Sequence, residues 1–244
     1  KDSLLLPQEL ADSYWKSDKK VLTTQEKQVC QEHFTNTDGT VSHYHTVKIP
    51  YQIDAQTPAV IGFSTDITEL YQLKEKLQKQ ANTDSLTKLN NRRYFLKHGE
   101  REYFRAKRHR LPMTLLTLDI DDFKLINDSY GHPVGDRVLM ALSKNLTENV
   151  RFEDIVSRTG GEEFSICLPD TNCDQAMILA ERIRSTQEKQ KITGGWQGDI
   201  QITLSIGIAT FAASDLSFDA LFSRADKALY VAKHAGKNRV YCAL

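Results

Sequence analysis

The sequence predicts an α+β protein: a small strand-rich region joined by a helix to a larger domain built on one mixed, five-stranded sheet flanked by helices. Three observations carry this. From Asp84 onward, apolar strand runs alternate with helical patterns in the order strand, helix, helix, strand, strand, helix, strand, helix, strand. Between residues 28 and 64, three short runs alternate in side-chain character and are separated by turn residues. Between the two regions, Leu70, Leu73, Leu77 and Ala81 recur at alternating three and four spacing among Lys, Glu and Gln.

The elements follow in order. Two helix-like pieces precede the strands Val29–Phe34 and Val41–Ile49, with Thr37-Asp38-Gly39-Thr40 as the turn between them. A Pro-containing loop leads to a third strand, 59–64. Asp66 or Thr65 is placed to cap the linker helix. Its leucine spacing fits either a short dimerising coiled coil or an ordinary amphipathic linker, and its position between two domains favours the dimer. A basic helix spans about 91–110, and Met113–Ile120 is an apolar strand ending in acids. Helices are expected near 121–130 and 133–150, a hairpin over 154–169, a helix over 172–191 and a strand over 201–210. A helix over 217–235 and a last strand over 239–244 complete the chain. Gly194-Gly195-Trp196 reads as a structural loop.

Composition narrows the class. The 244 residues are 40% hydrophobic and 26% charged, an ordinary balance for a soluble globular protein of two domains. Lys+Arg and Asp+Glu both total 32, so nothing points to nucleic acid or to an anionic membrane, and phosphate binding must be local. Four cysteines without a CxxC pair fit a reducing cytoplasm, with Cys167 in the core. The chain opens at Lys1 without a signal-peptide pattern or a long apolar run. It reads as a cytoplasmic fragment, and an upstream membrane anchor stays open.

Four groups of residues carry possible chemistry. Gly160-Gly161-Glu162-Glu163 joins two strand runs. It is either a plain turn with solvated acids, or a turn stripped of side chains so that phosphates approach the backbone beside a bound cation. Asp119, Asp121 and Asp122 close the first strand of the larger domain, where open α/β sheets often place ligands. Asp121 or Asp122 could cap the next helix, but Asp119 is still on the strand. Asp119, the Ile120 carbonyl and a hairpin glutamate are hard oxygen donors of the kind Mg²⁺ takes. The segment from Asn127 to Asp136 is dense in groups that can read a guanine edge, or it is a capped interhelical loop. Lys233 and Lys237 share a helix face and suit either a helix C-terminus or a triphosphate tail.

Taken together, these motifs resemble the GGDEF family of diguanylate cyclases. The resemblance rests on Asp84-Ser85-Leu86-Thr87 with Asn91-Arg92-Arg93, and on Asp119-Ile120-Asp121 with Lys124, Asn127-Asp128, Gly131-His132 and Gly135-Asp136. It rests equally on Gly160-Gly161-Glu162-Glu163-Phe164 and on Ala225-Asp226 with Leu229-Tyr230, Ala232-Lys233 and Gly236-Lys237-Asn238. It covers residues 84–244 and implies a palm-like, nucleotidyl-cyclase-like domain. Glu162 stands where the family name has Asp, Lys88 where Gly is usual, and Lys237 where Arg is usual.

The resemblance implies condensation of two GTP into cyclic di-GMP and two pyrophosphates by two domains meeting face to face. It implies Mg²⁺ (or Mn²⁺) held by Asp119, the Ile120 carbonyl and Glu162 with Glu163 nearby, and Glu162 as base or activator. Lys124 would stabilise transition-state charge. Asn127, His132 and Asp136 would bind the nucleoside, and Lys233 and Lys237 the outer phosphates. Arg151-Phe152-Glu153-Asp154 fits the family's RxxD inhibitory site, with Arg182 assisting. Residues 1–66 resemble the C-terminal part of a PAS sensor domain with an unknown ligand, 67–83 a signalling linker, and 84–244 the cyclase domain. The partners implied are GTP, cyclic di-GMP as product and inhibitor, and a second copy joined through the linker and the PAS part. The alternatives are a catalytically inactive cyclic di-GMP receptor and a GTP-binding signalling module.

Overall fold

The computed structural model describes residues 8–36, 38–194 and 198–243. Thr37 of the expected turn, Gly195-Trp196 of the expected loop and Leu244 lie outside the described residues. The chain divides into two compact units, Lys1–Gln78 and Lys79–Leu244.

In the first unit one helix, α1 (Gln8–Thr24), stands where the sequence suggested two pieces. Strands β1 (Gln28–Thr35), β2 (Val41–Asp54) and β3 (Thr57–Asp66) form the expected antiparallel sheet with β2 at its centre. Val47 faces both Val29 and Phe63 across the register. The strands run further than their alternation suggested, so Pro50 and Pro58 fall within β2 and β3 rather than in a loop. Lys48 on β2 is buried and reaches Asp18 of α1 at 2.7 Å, which ties helix to sheet. Asp66 receives the Thr68 N–H at 2.8 Å as helix α2 (Thr68–Asn82) begins, whereas Thr65 stays in β3. Helix α2 buries no residue, and Leu70, Leu73 and Leu77 are 64%, 51% and 55% exposed. The leucine stripe of α2 is thus exposed along the helix.

The second unit begins with the two-residue strand β4 (Asn90–Asn91) and helix α3 (Arg92–His109). Strand β5 (Met113–Ile120) and helices α4 (Phe123–Tyr130) and α5 (His132–Asn149) follow. Then come β6 (Ile155–Arg158), β7 (Glu163–Pro169) and α6 (Cys173–Lys189). Strand β8 (Leu204–Thr210), α7 (Phe218–His234) and β9 (Val240–Ala243) end the unit. The sheet order is β4-β6-β7-β5-β8-β9, with β5 antiparallel to both β7 and β8. The sixth strand, β4, pairs in parallel with β6 through two residues and was too short to read from a periodic pattern.

Strand β5 is buried on both faces, and its alternation decides where the acids point. Leu116, Leu118 and Ile120 enter one core with Val138, Leu142 and Ile183 of α5 and α6. Met113 and Leu115 enter the other with Phe95, Tyr103 and Leu221 of α3 and α7. Asp119 has the parity of Met113 and Leu115, so it faces α7. Helix α7 lies flush on β8 at Gly207, where an added Cβ would stand 2.2 Å from the Leu229 nitrogen and 2.3 Å from the Ala225 carbonyl. Only glycine admits a helix that close to a strand.

Candidate active site

The Gly-Gly turn joins β6 to β7, whose last register pair is Arg158↔Phe164. The connection between the strands is residues 159–162 rather than a two-residue hairpin turn. Thr159 and Gly160 both donate their N–H groups to the Glu163 carbonyl, at 2.9 and 3.2 Å. Neither glycine adopts a positive φ. What they provide is space. A Cβ on Gly160 would meet Glu163 Oε2 at 2.4 Å, and around a Cβ on Gly161 nothing stands within 4 Å. The turn keeps one face bare for an incoming group.

Arg158 fixes this turn from behind. Its Nε and Nη2 donate to the Gly161 carbonyl at 3.1 and 2.7 Å, and its Nη1 reaches Asp84 at 3.1 Å. Asp84 also receives the Thr87 N–H and hydroxyl at 2.8 and 2.7 Å. One arginine thus links the Asp84–Thr87 turn to the bare loop. Lys88 closes that turn with φ 62°, left-handed backbone that favours glycine. This gives the usual glycine there a physical reason, and Lys88 answers by donating to the Ser85 carbonyl at 2.7 Å.

Asp119 pairs across the sheet with Glu163 on one side and Ser205 on the other. It is 4% exposed and sits 2.7 Å from Lys233 Nζ of α7. Burial pushes its carboxyl up to about 6, against the pull of Lys233, and the charges of Glu162 and Glu163 push the same way. Glu162 is half-buried and Glu163 exposed. Ile120 ends β5 opposite Leu204.

The neighbouring acids have other partners. Asp121 caps no helix: it receives the Ser205 hydroxyl at 2.6 Å, the Thr203 hydroxyl at 2.7 Å and the Asn238 N–H at 2.9 Å. Asp122 occupies the N-cap position of α4 with φ 57° and makes no side-chain cap bond. It pairs with Lys237, whose ammonium that contact pushes up. Both lysines expected at outer phosphates therefore stand on aspartates in this structure, Lys233 on Asp119 and Lys237 on Asp122.

Lys124 is exposed in the first turn of α4. Asn127 is half-buried, and its Oδ1 lies 2.0 Å from where a Gly135 Cβ would be. Gly135 lets the Asn127 amide lie across α5, next to exposed Asp136. His132 opens α5, exposed, after Gly131 turns the chain with φ 83°. The expected nucleoside residues thus meet at the α4–α5 junction.

Behind the turn lies a cleft of about 280 Å³ lined by Arg92, Thr117, Thr159, Glu163, Asp226 and Lys233. Arg92 also reaches the Thr159 carbonyl at 3.5 Å. Asp226 is pushed up by burial and by Glu163. Arg92, Asp226 and Arg158 were not singled out in the sequence for roles. Arg92 and Asp226 lie inside quoted motifs, and Arg158 directly precedes the turn.

A second cleft, of about 310 Å³, brings Arg151, Asp154 and Arg182 together with Asn149, Thr171 and Gln175. Asp154 receives the Arg151 backbone N–H at 2.8 Å, and burial pushes its carboxyl up. Arg182 is held by Asn149 through two bonds, at 2.9 and 2.8 Å.

Among the described residues no three His, Cys, Asp or Glu side chains form a ready metal cage. The donor chemistry nevertheless suits a divalent ion: Asp119 feels the negative charges of Glu162 and Glu163, and Mg²⁺ needs only one or two carboxylates, completed by waters and substrate phosphates.

A six-stranded mixed sheet with a bare, acid-bearing turn above its central strand defines a nucleotide-handling α+β domain. The family described as "Diguanylate cyclase, GGDEF domain" matches residues 81–239. This chain belongs to the GGDEF family of diguanylate cyclases. It is 37% identical to a diguanylate cyclase of Vibrio cholerae over 91% of this chain and 70% of that protein. It is 41% identical to the diguanylate cyclase DgcM of Escherichia coli over 84% of this chain and 49% of DgcM. The chain spans 38% of a further relative, the E. coli diguanylate cyclase DosC, at 42% identity over 71% of this chain. Among solved structures, it is similar to the coiled coil and GGDEF domain of DgcB from Caulobacter crescentus in complex with c-di-GMP. There the TM-score is 0.70 at 30% identity, covering 72% of this chain and 93% of that one. The active GGEEF domain of a V. cholerae diguanylate cyclase gives a TM-score of 0.60 at 36% identity, covering 63% of this chain and 97% of that one. Among the described residues no helix is long and apolar enough to cross a membrane.

Proposed function

We infer that this chain joins two GTP molecules into cyclic di-GMP, each domain holding one GTP and a second copy facing it across an approximate two-fold axis. The observation that carries this reading is the buried Asp119 beside Glu163, directly under a turn with no side chain on its open face. Family membership adds to it.

Asp119, the Ile120 carbonyl and Glu162 would hold Mg²⁺ or Mn²⁺, with Glu163 alongside. When bound, such an ion neutralises phosphate charge and acidifies the attacking 3′-hydroxyl. Asn127 and Asp136 hydrogen-bond the guanine edge, and His132 borders the nucleoside. Glu162 takes the proton from the 3′-hydroxyl as it attacks the α-phosphate of the facing GTP. Lys124, exposed in the first turn of α4, stabilises charge on the phosphate. Lys233 and Lys237 exchange their aspartates for the outer phosphates when nucleotide enters, which leaves Asp119 able to take a cation. Arg158 and Arg92 hold the turn in place.

Residues 1–66 act as part of a PAS sensor, α2 as a dimerising linker, and Asp84 with Arg158 as the connection between linker and turn. The Arg151–Asp154–Arg182 cleft binds cyclic di-GMP as a feedback inhibitor: two guanidinium groups and a carboxylate suit phosphate and guanine edges. The test is incubation with GTP and Mg²⁺ after stripping bound nucleotide, following pyrophosphate and cyclic di-GMP. Absence of product would overturn the reading. A product titration unchanged by Arg151→Ala would remove the feedback site.

A further inference from the structure

Cys173 opens α6 and Cys242 lies in β9, 69 residues apart in the chain. Their sulfurs stand 2.7 Å apart. The two thiols are in direct contact, within reach of the roughly 2.05 Å S–S bond. Both thiols are free and half-buried, so a small reagent can reach them. Cys167 is fully buried in the core, and Cys30 lies on β1 of the first unit.

The two segments are already fixed against each other. Strand β9 is paired with β8 at Ile208↔Cys242. Helix α6 is held at its start by a capping box between Asn172 and Gln175. Asn238, just ahead of β9, bonds to Arg184 at 2.7 Å and to Glu188 at 2.8 Å, both on α6. With both segments anchored, neither sulfur has to move far to bond.

We propose that Cys173 and Cys242 are a reversible oxidation site, closing to an intramolecular disulfide when the chain meets a small-molecule disulfide such as oxidised glutathione. One of the two thiolates attacks one sulfur of the oxidant and releases one thiol, leaving a mixed disulfide. The other thiolate of the pair then attacks the modified Sγ and releases the second thiol. Two cysteine thiols lose two electrons, and one external disulfide becomes two thiols that take up the two protons. The bond pins β9, the edge strand of the sheet, to the start of α6. Neither sulfur lines the cleft under the Gly-Gly turn, so the bond acts on stability rather than on turnover.

The experiment treats the whole chain with oxidised glutathione at pH 8 and reads intact mass, disulfide-linked peptides and thermal midpoint. The expected result is a loss of about 2 Da, a Cys173–Cys242 cross-link, and a midpoint raised by roughly 5 °C or more, reversed by dithiothreitol. GTP turnover at 25 °C stays within about twofold. Cys242→Ser and Cys173→Ser should instead each trap one glutathione on the remaining cysteine of the pair. Unchanged mass, a stable glutathione adduct on the unsubstituted chain, or a cross-link involving Cys30 would each overturn the proposal. These readouts do not depend on the cyclase reaction.

Discussion

Asp119 and Asp121 stand two residues apart at the end of the same strand, yet their surroundings are opposite. Asp121 has three hydrogen-bond donors and no neighbouring acid among its partners. It fixes the start of α4 to β8 and to the turn before β9. Asp119 has one lysine, shares its position with Glu162 and Glu163, and is held near pH 6 by burial. Asp121 is arranged for stability. Asp119 is arranged against it, which is the mark of a site kept for a ligand. In the sequence the two are alternate acids of one cluster, and the donors around each show which of them is fully satisfied.

Substitutions can break that contrast. The largest expected effect is on turnover in Asp119→Asn, a loss of about a thousandfold or more in pyrophosphate release, from removal of a charged ligand at the reacting phosphate. Asp121→Ala should lower folding stability by about 2–4 kcal/mol in urea titration, because the buried Ser205 hydroxyl, the half-buried Thr203 hydroxyl and the Asn238 N–H lose their acceptor. Equal stability losses at the two positions would end the distinction.

A pH comparison sharpens it. The folded carboxyl of Asp119 holds its proton more tightly than the unfolded one, about 6 against 3.8. Its contribution is fully present below about pH 4 and is lost as pH rises to about 6. Metal-free Asp119→Asn should therefore be about 1–3 kcal/mol more stable than the parent at pH 8, and equal to it near pH 4. A variant less stable than the parent at pH 8 would show that the Lys233 pair outweighs burial. Asp136→Ala should raise the KM for GTP by about tenfold with the melting temperature unchanged, the cost of one lost guanine contact at an exposed position. The smallest effect is at Lys88, where Lys88→Gly should add about 0.5–1 kcal/mol by relieving the left-handed backbone.

Much of this was legible in the sequence, for identifiable reasons. The strands of the second unit carry continuous or alternating apolar patterns, and their order and helix partners followed from them. Asp119 was separable from its neighbours because a strand residue has no helix to cap. Arg151 and Asp154 line one cleft with Arg182, which lies on the next helix. What escaped was set by tertiary contact. Two residues of β4 have no period to read. Asp121 reads as a helix cap until Thr203, Ser205 and Asn238 converge on it. The glycines of the turn leave two readings open in the sequence, a plain turn or one stripped of side chains, and the structure shows neither with a positive φ, nothing beside a Gly161 Cβ and Glu163 filling the space at Gly160. Arg158 reads as one more surface charge until Asp84 and the Gly161 carbonyl meet it.

The central claim is that the acids around this turn perform the condensation. It is tested most directly by following cyclic di-GMP and pyrophosphate from GTP and Mg²⁺ with the parent chain and with Glu162→Gln. The account predicts two pyrophosphates per cyclic di-GMP from the parent and no product from a Glu162→Gln chain that melts like the parent. Parent-like turnover by Glu162→Gln would contradict it.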